Sequence, residues 1–134
     1  MTARLALPRP IAALPMAHDL AEFWPAYLWH HRRPWTRRLH HLASWICIGG
    51  AVLALATGHA GLLPAGIAAG YLVAFASHWL VEHNRPLSFG RPIFAGICNW
   101  IMFALEITGR LDRHLLVLQE KPREEWDDYD VGSQ

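Results

Sequence analysis

Apolar positions along this chain recur at helical spacing and then merge into long runs, with no stretch alternating at the period of two that a strand needs. A first helix is predicted from His18 or Asp19 to about His31. Asp19 and Glu22 suit its first turn, where the helix dipole favours negative charge, and Phe23, Trp24, Tyr27 and Leu28 form an aromatic face. Pro25 lies too far inside for an ideal helix and implies a kink or a later start. Pro34 ends this element and suits the first turn of the next, which runs to about Thr57. Gly58, Gly61 and Pro64 mark a turn. A third helix follows from about Pro64 to Asn84, stopped by Pro86. The loop RPLSFGRP leads to a fourth, from about Pro92 to Thr108, with Gly109 as its C-cap residue. Residues 1–17 are proline-interrupted and expected to be irregular. The acidic tail, 119–134, is expected to be disordered. The reading is all-α: a helical domain over 18–118, about four helices around an apolar central hairpin.

The placement of charge makes this a small helical membrane protein. Between Leu42 and Val81 there is no Asp, Glu, Lys or Arg. Helices two and three each carry roughly 16–20 apolar residues, close to the ~20 that cross a bilayer; the plain alternative is a buried soluble hairpin. The uncharged Gly58–Pro64 turn, set against arginines at the other end, places Arg32–Arg38 and Arg85–Arg91 on the cytoplasmic side. The fourth apolar run, Pro92 to Leu105, spans only 14 residues and is followed by Arg110 and Arg113. It is expected to be a partly inserted or re-entrant helix packed on the hairpin. Gly66 and Gly70 form a small-residue pair that could bring a second copy close, making a homo-oligomer possible.

Composition adds little. The formal charge is +1, which gives no basis for binding nucleic acid. Cys47 and Cys98 lie in apolar runs and read as buried free thiols. Pro8, Arg9, Pro10 and Pro15 interrupt any apolar core of a cleaved signal peptide.

The chemistry gathers in the two segments that bracket the apolar hairpin in sequence, YLWHHRRPWTRRLHH (27–41) and SHWLVEHNRP (77–86). His31 and His40, nine residues apart, would lie ~180° out of phase on one helix, so a shared site needs the turn at Pro34. His40 and His78 fall at a similar depth in an antiparallel hairpin, roughly 9 Å from the same face. Glu82 follows His78 by one turn. Three imidazoles and a carboxylate suit iron, zinc or manganese. Ionisable groups inside a span are costly and usually functional. The bland readings are that each histidine caps a carbonyl, that Glu82 pairs with Arg85, and that the arginines contact headgroups. His30 and His41 are expected at the interface, and His59, His83 and His114 at the surface.

The combination Tyr27-x3-His31-x2-Pro34, Arg37-Arg38-Leu39-His40 and His78-x3-Glu82-x-Asn84-Arg85-Pro86 resembles the Mpo-type 2-hydroxy-fatty-acid dioxygenases. The likeness continues through Phe89, Pro92 and WIMFALEITGRL, covering about residues 22–112. Ala43 and Ser77 stand where the family has glycines, and His83 where it usually has lysine. The resemblance implies a small multi-helix membrane protein, in bacteria an inner-membrane one. It also implies an Fe(II)-dependent oxygenase that uses O₂ to shorten a 2-hydroxy fatty acid by one carbon. His31, His40 and His78 would hold the iron, with Glu82 a fourth ligand or a partner orienting an imidazole. Arg85 or Arg38 would steer the substrate carboxylate. Two rivals remain at this point: a non-enzymatic membrane protein that oligomerises through Gly66 and Gly70, and a haem protein using two of the histidines.

Overall fold

The computed structural model describes residues 16–119. Five α-helices follow in order: α1 (Ala17–Trp29), α2 (Pro34–Thr57), α3 (Leu62–Ser77), α4 (Pro92–Ile107) and α5 (Leu111–Gln119). A π-helical turn (His78–Glu82) extends α3, and a 3-10 turn (Leu87–Phe89) precedes α4. Among the described residues there is no strand. The all-α class and the apolar central hairpin are as expected. The irregular N-terminal segment and the acidic tail lie outside the described residues, apart from the few at their inner edges that α1 and α5 take in.

The chain forms two compact units, one of them His31–Pro86 and the other made from the segments on either side. In the first, α2 and α3 pair as a hairpin. Pro34 occupies the first turn of α2, where its missing N–H costs nothing. Gly58 ends α2 in the left-handed region at φ 72°, its N–H donating to the Ala54 carbonyl. Two residues earlier than expected, α3 starts at Leu62; Pro64 then falls within the first turn, where an N–H has no helical partner.

The seam between α2 and α3 is made of backbone. A Cβ placed on Gly66 would lie 2.9 Å from the Gly50 Cα, and one on Gly70 would lie 2.8 Å from the Ala43 carbonyl oxygen. The small-residue face read from sequence as a seam for a second copy is therefore occupied within one chain. Both helices are long and apolar enough to cross a membrane, α3 together with its π turn. Much of their apolar surface faces outward, with Leu55 87%, Leu72 71% and Leu80 75% exposed. Such a surface is the make-up of a small helical membrane protein rather than a water-facing one.

The second unit packs α1, α4 and α5 around a separate core. Leu20, Phe23, Trp24 and Leu28 of α1 are fully buried. Pro25 sits inside α1 without ending it. The helix closes at Trp29, short of the expected His31, where the His30 N–H and its ring Nδ1–H both donate to the Ala26 carbonyl. Ala95, Cys98, Ile101, Met102 and Leu105 form the buried stripe of α4. Gly109 takes φ 66°, and the Arg110 N–H returns to the Leu105 carbonyl at 2.8 Å, the C-cap predicted from sequence.

The fifth helix was not anticipated. It has only nine residues, too few to be stable without tertiary packing. Leu111 and Leu118 are buried on its inner side. It also brings His114 off the surface, contrary to expectation: the ring is half-buried, and its Nδ1 accepts the Trp24 indole N–H at 3.2 Å. A buried indole N–H needs such an acceptor.

Two outcomes follow from this packing. Gly66→Ala should destabilise the hairpin by about 1–3 kcal/mol, because neither facing backbone can give way. Gly49→Ala, where an added Cβ meets nothing within 4 Å, should be neutral or stabilising by up to about 1 kcal/mol. Thermal unfolding in detergent measures both. The second concerns His114, whose imidazole is held below its ordinary value of 6.5 by burial. Below pH 6.5 the unfolded chain takes up a proton that the folded ring resists, so this contribution is present above that pH and is lost as pH falls. The melting temperature should drop less between pH 7.5 and 5.5 in His114→Gln, which keeps an acceptor and does not titrate, than in wild type.

Candidate metal centre

Three histidines from distant parts of the His31–Pro86 unit meet at one end of the hairpin. His31 precedes α2, His40 lies in its second turn, and His78 opens the π turn that follows α3. All three are buried, at 1%, 5% and 2% exposure. Ring centroids are 4.3 Å apart for His31 and His40, 4.6 Å for His31 and His78, and 5.0 Å for His40 and His78. Each pair of rings stands nearly perpendicular, at 89°, 83° and 88°. One nitrogen from each ring lies within 4.8 Å of the others. The shared depth of His40 and His78 read from the hairpin is thus real, and the break before Pro34 brings His31 to them.

Hydrogen bonding decides which nitrogen His40 presents. Its Nδ1 lies 3.0 Å from the Thr36 carbonyl oxygen, which can only accept, so Nδ1 carries the proton. The Ser77 hydroxyl donates to the Ala74 carbonyl and offers the same Nδ1–H a second acceptor at 3.2 Å. The lone pair of a neutral His40 is left on Nε2, which faces the His31 Nε2 at 3.1 Å. Two imidazole nitrogens that close need either a proton or a cation between them. A buried, all-nitrogen donor set with one ring tautomer already fixed fits a divalent transition metal.

Glu82 is placed differently from the histidines. Its carboxylate is buried and accepts the Arg33 backbone N–H at 2.8 Å, with the Arg32 and Arg33 guanidinium groups each at 3.9 Å. Arg33 is the N-cap of α2 and lends it no side-chain cap. In a capping box, a Glu three residues into the helix returns to the N-cap N–H; here Thr36 holds that position and Glu82 supplies the carboxylate from the far helix. The negative charge also sits where the α2 dipole favours it. The Arg33 guanidinium then donates to the Val81 carbonyl at 2.7 Å, and Arg37 donates to the carbonyls of His31 and Arg32.

Neither arginine proposed to steer a carboxylate lies among the three rings. Arg38 is exposed, its guanidinium 4.8 Å from the centre of the Trp35 ring, and Arg85 is exposed in the loop after the π turn. Other neighbours of the centre were given no site role by the sequence reading, although Arg37, Ser77 and Asn84 stood among the positions that carried the resemblance. Arg33 and Arg37 pin the segment bearing His31, Ser77 touches His40, and the His78 Nδ1 lies 2.7 Å from the Asn84 Oδ1. On a continuous α-helix six residues turn ~600°, which would leave Asn84 well away from the His78 face. The helix instead widens at His78, and His83 turns back in the left-handed region at φ 58°. π turns of this kind are rare and concentrate at functional sites.

A protein-family model described as 2-hydroxy-palmitic acid dioxygenase Mpo1-like matches residues 17–111. The chain belongs to this family. No curated protein and no solved structure matches it. All three clustered histidines fall inside the matched span of this Mpo1-like chain.

The different surroundings of His78 and Glu82 separate their expected effects. Glu82→Gln keeps an oxygen for the Arg33 N–H and should retain one equivalent of bound metal, while His78→Ala should lose at least tenfold in affinity. Metal titration followed by isothermal calorimetry gives the comparison.

Proposed function

We propose that this protein is an Fe(II)-dependent dioxygenase of the membrane. It would shorten 2-hydroxy fatty acids by one carbon, with His31, His40 and His78 holding the iron. The observation that carries the reading is the convergence of three buried imidazoles, one with its tautomer fixed, inside a span whose family description names a 2-hydroxy-palmitic acid dioxygenase. Loss of the carboxyl carbon as CO₂, with carbon 2 becoming the new carboxyl, balances with one O₂ and one water released. No separate reductant is required. Iron in that centre would supply the one-electron chemistry by which O₂ can react with a closed-shell acid, using coordination positions that three protein ligands leave open.

The chain's own residues bind and position. Burial of the three rings keeps bulk water from the reacting groups. The exposed apolar faces of α2 and α3 offer the acyl chain a path continuous with lipid. Arg38 and Arg85, at the same end of the hairpin, draw the carboxylate towards it. Glu82 keeps the His31 segment and the π turn in register, a supporting role rather than a ligand's. We place this arginine-rich end on the cytoplasmic side of an inner membrane, following the charge asymmetry across the hairpin.

Conversion of a long-chain 2-hydroxy acid to its one-carbon-shorter product, with iron supplied or chelated, tests the function. Chelator and His78→Ala should each abolish it, and His59→Ala, in the exposed turn at the other end, should leave it near wild type. Glu82→Gln should cost less than His78→Ala. Iron without haem absorbance is expected in the purified protein; haem absorbance or absence of metal would favour the rival readings. Turnover that survives both chelator and His78→Ala would refute the metal centre. Orientation is read separately: a cysteine at position 60, in a background lacking Cys47 and Cys98, should label only from the periplasmic side.

A further inference from the structure

We infer that Asn84 is a positioning residue of the centre, fixing the His78 imidazole as its Nδ1–H tautomer so that Nε2 is the atom offered to a divalent cation. The inference rests on the metal-centre reading and extends it to a residue outside the histidine set.

Asn84 grips His78 twice. Its side-chain Oδ1 lies 2.7 Å from the ring Nδ1, and its backbone N–H donates to the His78 carbonyl at 3.0 Å. The His83 N–H donates to that same carbonyl, closing the wide turn. The side-chain amide oxygen has no proton, so the Nδ1 must donate to it. An imidazole locked this way cannot flip to offer Nδ1 and keeps its lone pair on Nε2, in a ring that brings one nitrogen within 4.8 Å of one from each of His31 and His40. The left-handed backbone of His83, uncommon for a residue other than glycine, is what folds Asn84 back over the ring. Thr36 does the same for His40 through a main-chain carbonyl, which no substitution removes. The hold on His78 depends on a side chain, which makes it the mutable one of the two.

Cobalt(II) titration of the full-length protein in detergent micelles tests this without turnover, because visible d–d bands report both affinity and ligand geometry. Asn84→Leu removes the acceptor and should weaken cobalt binding by 10–100-fold, the usual cost of losing such a partner. Asn84→Asp keeps an acceptor of greater basicity and should bind as tightly as wild type or tighter, with shifted bands. Leucine-variant affinity within twofold of wild type would overturn the inference. So would an aspartate variant that binds more weakly than wild type, and this arm stands even if the leucine variant does not fold. Cobalt binding by wild type but not by His78→Ala supports the underlying centre; failure of wild type to bind would sink that centre and the inference together.

Discussion

The close approach of two backbones at Gly50 and Gly66 governs the hairpin on which the centre is built. With less than 3 Å between a would-be Cβ and the facing Cα, no side chain separates α2 from α3 at that level. The same seam continues through Ala43 and Gly70 towards the polar end. The Cys47 thiol joins that seam, donating to the Gly66 carbonyl, and at the polar end Ser77 and His40 meet through a hydrogen bond beside the histidine cluster. Tight packing in the apolar region thus sets the helix spacing at which imidazoles from both helices can share one point.

At the polar end distant segments close on one another, although the Oε2 oxygen of Glu82 has no hydrogen-bond partner there. Glu82 completes the N-terminus of α2, and Arg33 answers with a bond to the Val81 carbonyl. A buried carboxylate and a half-exposed guanidinium here close the same short stretch from both sides. His31 is held in that stretch and His78 begins the turn that Glu82 ends. Through its Arg33 partner in space, Glu82 serves as a cap of α2.

Exposed apolar side chains on α2 and α3 and the uncharged stretch between Leu42 and Val81 describe one surface in two ways. A substrate with a long acyl chain and a charged head would be sorted by that surface as a lipid is, chain along the helices and head at the arginines. Under the proposed function, histidines at the polar end would stand beside the carbons of a 2-hydroxy acid that react.

The sequence by itself determined the helices whose signals are local: Pro34 at the start of α2, Gly58 and Gly109 at helix ends, and apolar runs too long for a polar surrounding. It also put His40 and His78 at one depth, because depth along an antiparallel hairpin follows from residue count, and the turn at Pro34 allowed His31 to join them. What it did not determine turned on contacts between distant segments. Gly66 and Gly70 could have faced another copy, and only the packed hairpin shows them spent on Gly50 and Ala43. The nine-residue α5 exists through its buried leucines, and His114 left the surface with it. Glu82 and Asn84 acquired their partners when the helix widened at His78 and reversed at His83. Nothing in local propensity marks that widening, since it is fixed by bonds to residues that a regular helix would have turned away.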